Sequence, residues 1–272
     1  MARHQQFSAS FLLLQQEGHL ISTQLAAGLT ELRSAHVHNK GAFYSALFNL
    51  SVGMERLLKA IVIIDHMLRN NLTTPTISQL KAYGHNVVEL YDTCVAISEN
   101  TNARINDRRT FDETDLEIIN LLSNFAQSTR YHNLDALSRS NVGKDPLSHW
   151  EEILTAILRS DVPQKKQEKI LERGRLVAEK IDDITLTIMH GLDRRQLSTE
   201  EALTLPSLHE EAVKHAVLRI VTMLAQVREL ISELSHCAYG LSTPTPAFPQ
   251  MQEFLEWLWD DRKYVLRKKR WP

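Results

Sequence analysis

The sequence predicts an all-α fold, on three observations. Leu, Ala, Glu, Gln and Arg dominate its long segments, and these residues favour helix. Nine glycines and eight prolines in 272 residues are too few for a sandwich of many short strands and turns. Between residues 43 and 68, Phe43, Leu47, Leu50, Met54, Leu57, Ile61, Ile64 and Leu68 recur at steps of three and four, the period of a buried helical stripe. A chain of this length can bury one large helical core or two smaller ones.

The elements follow in order. A first helix is expected over 5–33, with Phe11, Leu14, Leu25, Leu29 and Leu32 inward and Gly18 and Gly28 as points of kinking or breakage. The polar run 36–41 is its turn. The striped helix 43–68 ends at Asn70-Asn71 ahead of Pro75, which cannot continue the ladder. A short helix precedes Gly84, and another starts near His85-Asn86 with Val87, Leu90, Tyr91, Cys94 and Val95. Residues 99–110 read as a polar loop. The next helix, 112–130, carries acids in its first turn, where they complement the dipole. Its apolar face is Leu116, Ile119, Leu122, Phe125 and Ala126.

Residues 138–145, followed by Pro146, are the best internal boundary. Beyond it, Ser148-His149-Trp150-Glu151 has the spacing of a capping box. A charged helix is expected over 164–190, with Ile170, Leu171, Val177, Ile181, Ile184 and Ile188 inward and Gly191 as its stop. A second long helix, 208–239, sets Val213, Val217, Ile220, Leu224, Val227, Ile231 and Leu234 at near-heptad steps, and two such partners suggest an antiparallel helical hairpin or a coiled-coil-like pair. A proline-rich linker, 242–249, precedes a last helix over 251–267 bearing Phe254, Trp257, Trp259 and Tyr264.

Composition narrows the function. The formal charge is -2, so the chain as a whole advertises no nucleic-acid partner. Its end is different: Lys268, Lys269 and Arg270 beside Trp271 are a candidate grip for an anion or nucleic acid. Cys94 and Cys237 have no paired spacing and, with no secretory signal, read as reduced core residues of a cytoplasmic protein. The apolar run at 61–64 is far short of the ~20 residues that span a bilayer, so no membrane partner is expected. No HExxH, GxSxG or P-loop pattern occurs. His85 with Glu89, His36 with His38, and His209 with His215 do not supply converging metal ligands, so neither metal nor cofactor is expected.

Two local clusters carry chemistry. Glu55 and Lys59 lie one helical turn apart, either as a surface pair or as the wall of a polar cleft. Arg130, Tyr131 and His132 gather at a helix end. Glu-x-x-x-Lys on an apolar second helix, then Gly84-His85-Asn86-Val87 with Leu90, then Arg130-Tyr131, resembles the HEPN superfamily over residues 38–137. The resemblance implies an antiparallel four- or five-helix bundle, commonly a homodimer. Its members include ribonucleases of phage defence, toxin–antitoxin pairs and RNA processing, and inactive partners that bind nucleotides or RNA. The ribonucleases place Arg and His four to six residues apart on a late helix, whereas here one residue separates Arg130 from His132. The pair with four intervening residues, Arg33 and His38, comes before the second helix.

The expectation is therefore a HEPN-like bundle over 1–140, a long helical hairpin over 146–241 and an aromatic, basic helix over 250–272. Its leading function is a homodimeric interaction module that binds RNA or a protein in a bacterial defence, toxin–antitoxin or stress system. The first alternative is a metal-independent endoribonuclease with Arg130 and His132 catalytic and Glu55, Lys59, His85 and Tyr131 lining a polar cleft. The second is a structural adaptor.

Overall fold

A computed structural model describes residues 7–107, 109–138, 142–239, 241 and 246–272. Parts of the expected first helix, of the 99–110 loop, of the 138–145 boundary and of the 242–249 linker lie outside the described residues. The described residues are all-α, with ten α-helices and one isolated bridge between His190 and Gln196. None of these helices is long and apolar enough to cross a membrane.

Helix α1 (Ala9–Ser34) starts at Ser8, whose hydroxyl accepts the Phe11 N–H, and it runs unbroken through both glycines. Glycine is there for space. A Cβ on Gly28 would sit 2.9 Å from the Leu50 backbone nitrogen, and one on Gly53 would sit 3.1 Å from that of Leu25. These close approaches let α2 (Lys40–Arg69) lie antiparallel against α1, with Asn49 bonding Glu31 near one end and Arg56 bonding Glu17 toward the other. The expected stripe of α2 is buried from Phe43 to Ile64. At its end Asn71 and Leu72 adopt left-handed conformations, φ 49° and 62°.

A Thr76–Gln79 capping box opens α3 (Ile77–Ala82), and the Asn86 side chain caps α4 (Val87–Ser98). Helix α5 (Glu113–Gln127) is opened by Asp112 and Asp115 and buries Ile118, Ile119, Leu121, Leu122 and Phe125. Leu116, expected inward, is 50% exposed. The expected continuation to residue 130 is instead a 3-10 turn (Thr129–Tyr131) leading into α6 (His132–Ser138).

Helix α7 (Pro146–Asp161) begins two residues before the expected capping box. Asp145 accepts the Leu147 N–H, and Pro146 occupies the first turn, where its missing donor costs nothing. Helix α8 (Gln164–Ile181) stops nine residues short of His190, leaving Ile184 and Ile188 83% and 73% exposed. Leu171 and Val177 are also exposed, and the buried seam of α8 is made by Gly174 and Ala178. Residues 189–197 close a small hairpin through Leu197 N–H to Met189 O.

Helix α9 (Thr199–Tyr239) starts nine residues before the expected 208 and passes through Pro206. It packs against α1, α2, α5, α7 and α8 and buries every residue of the near-heptad stripe. The expected last helix is a 3-10 turn (Met251–Leu255) and a separate α10 (Arg262–Arg267), divided at Asp261, which caps the Tyr264 N–H. One buried cluster extends from Leu14 to Trp271 across all three expected regions. Cys94 lies within it, and burial pushes its thiol pKa up; Cys237 is exposed, so the expectation of two core thiols holds for the first alone.

Buried charge ties the helices together. Arg219 on α9, 5% exposed, donates to Asp112 and Asp115 at the start of α5 and to Asp161 at the end of α7. Burial raises the Asp112 and Asp161 carboxyls, but the Arg219 hydrogen bonds and charge outweigh it and hold both below the ordinary range.

Candidate functional site

The burial of the apolar stripe of α2 turns Glu55, Arg56 and Lys59 to the helix's other side. Gly84, at φ +52°, makes the turn before α4 that returns the chain to this face. Lys59 Nζ donates to Glu55 Oε1 at 2.7 Å and to the Gly84 carbonyl at 2.6 Å, so one ammonium joins the helix to the turn. The next residue, His85, sets Nδ1 3.1 Å from both Glu55 oxygens.

This bond pattern selects a tautomer. An ionised Glu55 only accepts, so Nδ1 carries the proton and the lone pair of the neutral ring lies on Nε2. The Glu55 side chain is 14% exposed and that of His85 59%, so a sheltered carboxylate orients a ring that reaches solvent.

Two arginines complete the rim. Arg56 reaches across to α1 and donates to both Glu17 oxygens, at 2.6 and 2.9 Å. Arg130 arrives from the 3-10 turn after α5, its guanidinium 5.4 Å from the centre of the Tyr131 ring. Among the described residues no carboxylate pairs with Arg130. Below the rim, Leu14, Phe48, Val52, Ile63 and Phe125 form an apolar floor to a cleft of about 360 Å³.

The structure thus brings Glu55, Lys59, His85 and Arg130 together and divides the expected catalytic pair. Arg130 lines the cleft. His132, the first residue of α6, is 7% exposed, with Nδ1 buried and without a hydrogen-bond partner, and it does not line the cleft. Residues two apart do not share a face of a helical turn, so Arg130, in the 3-10 turn, meets the cleft while His132, opening α6, turns inward. Tyr131, expected in the polar cleft, is 59% exposed and does not line it; its ring touches the Arg130 guanidinium instead.

Lys268 and Arg270 lie elsewhere, in a surface groove that shares no lining residue with the cleft; Lys269 is exposed beside it. No cluster of three or more His, Cys, Asp or Glu side chains suited to a metal ion occurs among the described residues. Glu17 and the apolar floor escaped the sequence reading because their place depends on how α1 packs. Arg56, adjacent to Glu55, was the one available signal.

No family model, curated protein or solved structure matches this chain.

Proposed function

We propose that the cleft binds a phosphate-bearing unit of RNA, and that the chain is a HEPN-like interaction module of a bacterial defence, toxin–antitoxin or stress system. The observation that carries this reading is Arg130, a cation with no carboxylate partner, set beside Lys59 and His85 over an apolar floor. A nucleotide has the matching parts. Its base has a flat apolar face for the Phe48 and Phe125 side, and its phosphate is an acceptor for guanidinium. The homodimer implied by the resemblance belongs to the same proposal, and light scattering at working concentration tests it, a monomer counting against it.

The bond between Glu55 and His85 favours a second reading, metal-independent RNA cleavage. His85 Nε2 would take the proton of a ribose 2′-hydroxyl as its oxygen attacks the adjacent phosphorus. The bond to the 5′-oxygen breaks, that oxygen takes a proton from water, and a 2′,3′-cyclic phosphate remains. Arg130 would stabilise the charge gathering on the phosphoryl oxygens.

Fluorescence anisotropy with a short labelled single-stranded RNA tests both readings. Arg130→Ala should weaken binding about 10- to 100-fold, the worth of one charge-assisted hydrogen bond, with an unchanged circular dichroism spectrum. His85→Ala should retain binding within a few-fold and abolish any cleavage seen on a gel. Wild-type affinity in Arg130→Ala overturns the binding reading, and cleavage surviving in His85→Ala overturns the catalytic one.

A further inference from the structure

One end of the chain is dense in bases. Six of its 31 Lys and Arg residues and none of its 33 acids fall within residues 262–272. On a chain of net charge -2, this is a local field of one sign.

That end is held on a fixed frame. Trp271 is 7% exposed, and its backbone N–H donates to Thr30 Oγ1 at 2.9 Å. Arg33, itself buried, donates from Nε to the Lys268 carbonyl at 3.0 Å. Val265 is fully buried beneath α10. The segment is clamped onto α1 and α9, and its cations cannot collapse onto distant acids as those of a free tail would.

The cations surround a groove. Lys263, Arg267, Lys268 and Arg270 line a concave surface of about 570 Å³ together with Tyr264 and Asp261. Asp261 is occupied in capping the Tyr264 N–H at 2.7 Å. Lys268 bonds the Tyr264 hydroxyl and lies 4.6 Å from that ring's centre. Among the described residues no carboxylate pairs with Lys263, Arg267 or Arg270.

We infer that this groove docks the sugar-phosphate backbone of a single-stranded nucleic acid. Unpaired cations spaced along a concavity match a chain of phosphates, and Tyr264, 41% exposed, offers a ring for a base. A bilayer is the poorer fit. Surface-bound helices bury an outward apolar face in lipid, whereas α10 turns Val265 into the core and packs Leu266 against it. The inference stands apart from the cleft, because the two surfaces share no lining residue.

The test is anisotropy of the full chain with a fluorescein-labelled single-stranded oligouridylate of about twenty nucleotides, titrated from low to moderate salt. The variant Lys263→Gln/Arg267→Gln/Arg270→Gln changes exposed side chains only, with circular dichroism as the check on folding. Neutralising three phosphate contacts should lower low-salt affinity about 10- to 50-fold and flatten the slope of log affinity against log salt by about two. Arg130→Ala removes one cation, so it should flatten that slope by less than about one. Wild-type affinity and slope in the triple variant overturn the groove whatever Arg130→Ala does, and a loss confined to the triple variant sustains the groove while the cleft reading falls. Absence of RNA binding by the wild type, or a loss seen only with phosphatidylserine vesicles, overturns the inference.

Discussion

Replacing Glu17 with Gln should tighten phosphate binding in the cleft. In the structure Glu17 occupies Arg56 through two hydrogen bonds across α1 and α2, and each side chain is 40% exposed. An ion pair that open to water contributes roughly 0.2–1 kcal/mol, so its loss should move the urea midpoint little. Binding responds differently, because Glu17 is a negative charge at the rim where a phosphate would sit. At a separation of about 7 Å and an effective dielectric constant of about 40, removing that repulsion is worth about 1 kcal/mol, or roughly fivefold in affinity. The released guanidinium adds to the gain. The assay is calorimetric titration with a nucleoside monophosphate at low salt, for wild type and Glu17→Gln, with a parallel urea melt. Unchanged or weaker affinity with an unchanged melt would refute the reasoning, since an anion bound beside Arg56 must sense Glu17.

Three further outcomes are expected. Arg219→Ala should destabilise the protein by about 1.5–3 kcal/mol in urea unfolding, because it takes the guanidinium from Asp161 and leaves the fully buried Asp115 with Arg109 as its one remaining cation among the described residues; a loss below about 1 kcal/mol would contradict the network. Gly18→Ala places a Cβ 2.3 Å from the Phe254 ring and should cost about 1–3 kcal/mol, a penalty that shrinks in a Phe254→Leu background. Stability should fall on acidification in two stages. Burial holds the folded His215 pKa below its usual 6.5, so its contribution is whole above pH 6.5 and is lost as pH falls through the folded value. Asp112 and Asp161 are lowered, and Glu201 is held at about 2 by Arg195 and the Ser198 N–H, so their contributions are whole above the ordinary carboxylate range and fade below about pH 4. Urea midpoints against pH check this, with His215→Gln expected to abolish the first stage alone.

The second helix was legible because its information is local, a stripe at steps of three and four. The end of α8 was not, for the same reason. Val177, Ile181, Ile184 and Ile188 keep the helical period, yet the helix stops at Ile181. Asp182 and Asp183 place negative charge at its C-terminus, against the dipole, and two β-branched threonines follow. The start of α9 was concealed by Pro206, although Ser198 and Glu201, which exchange hydrogen bonds with each other's backbone, form the capping box that marks it. Glu55, Lys59 and His85 were readable from one helical turn and one tight turn. Which histidine shares the cleft with Arg130 was not, since nearness in sequence suggested His132 while the turn before α4 brings His85 there.

Net charge is a coarse guide for a related reason: it counts charges without asking which are already engaged. Many acids here have structural work. Asp112, Asp115 and Asp161 hold Arg219, Asp145 and Asp261 cap helices, Glu201 closes a capping box, and Glu55 binds Lys59 and His85. Each is sited where a backbone N–H or a nearby cation neutralises its field over a short range. Arg130 in the cleft and Lys263, Arg267 and Arg270 in the groove have no such partner among the described residues. An approaching phosphate at moderate salt senses charges within about 8–10 Å, so it meets these surfaces and not the chain average. A nearly neutral chain can therefore present two cationic sites, and the distribution of its ion pairs, more than its total charge, decides what it can bind.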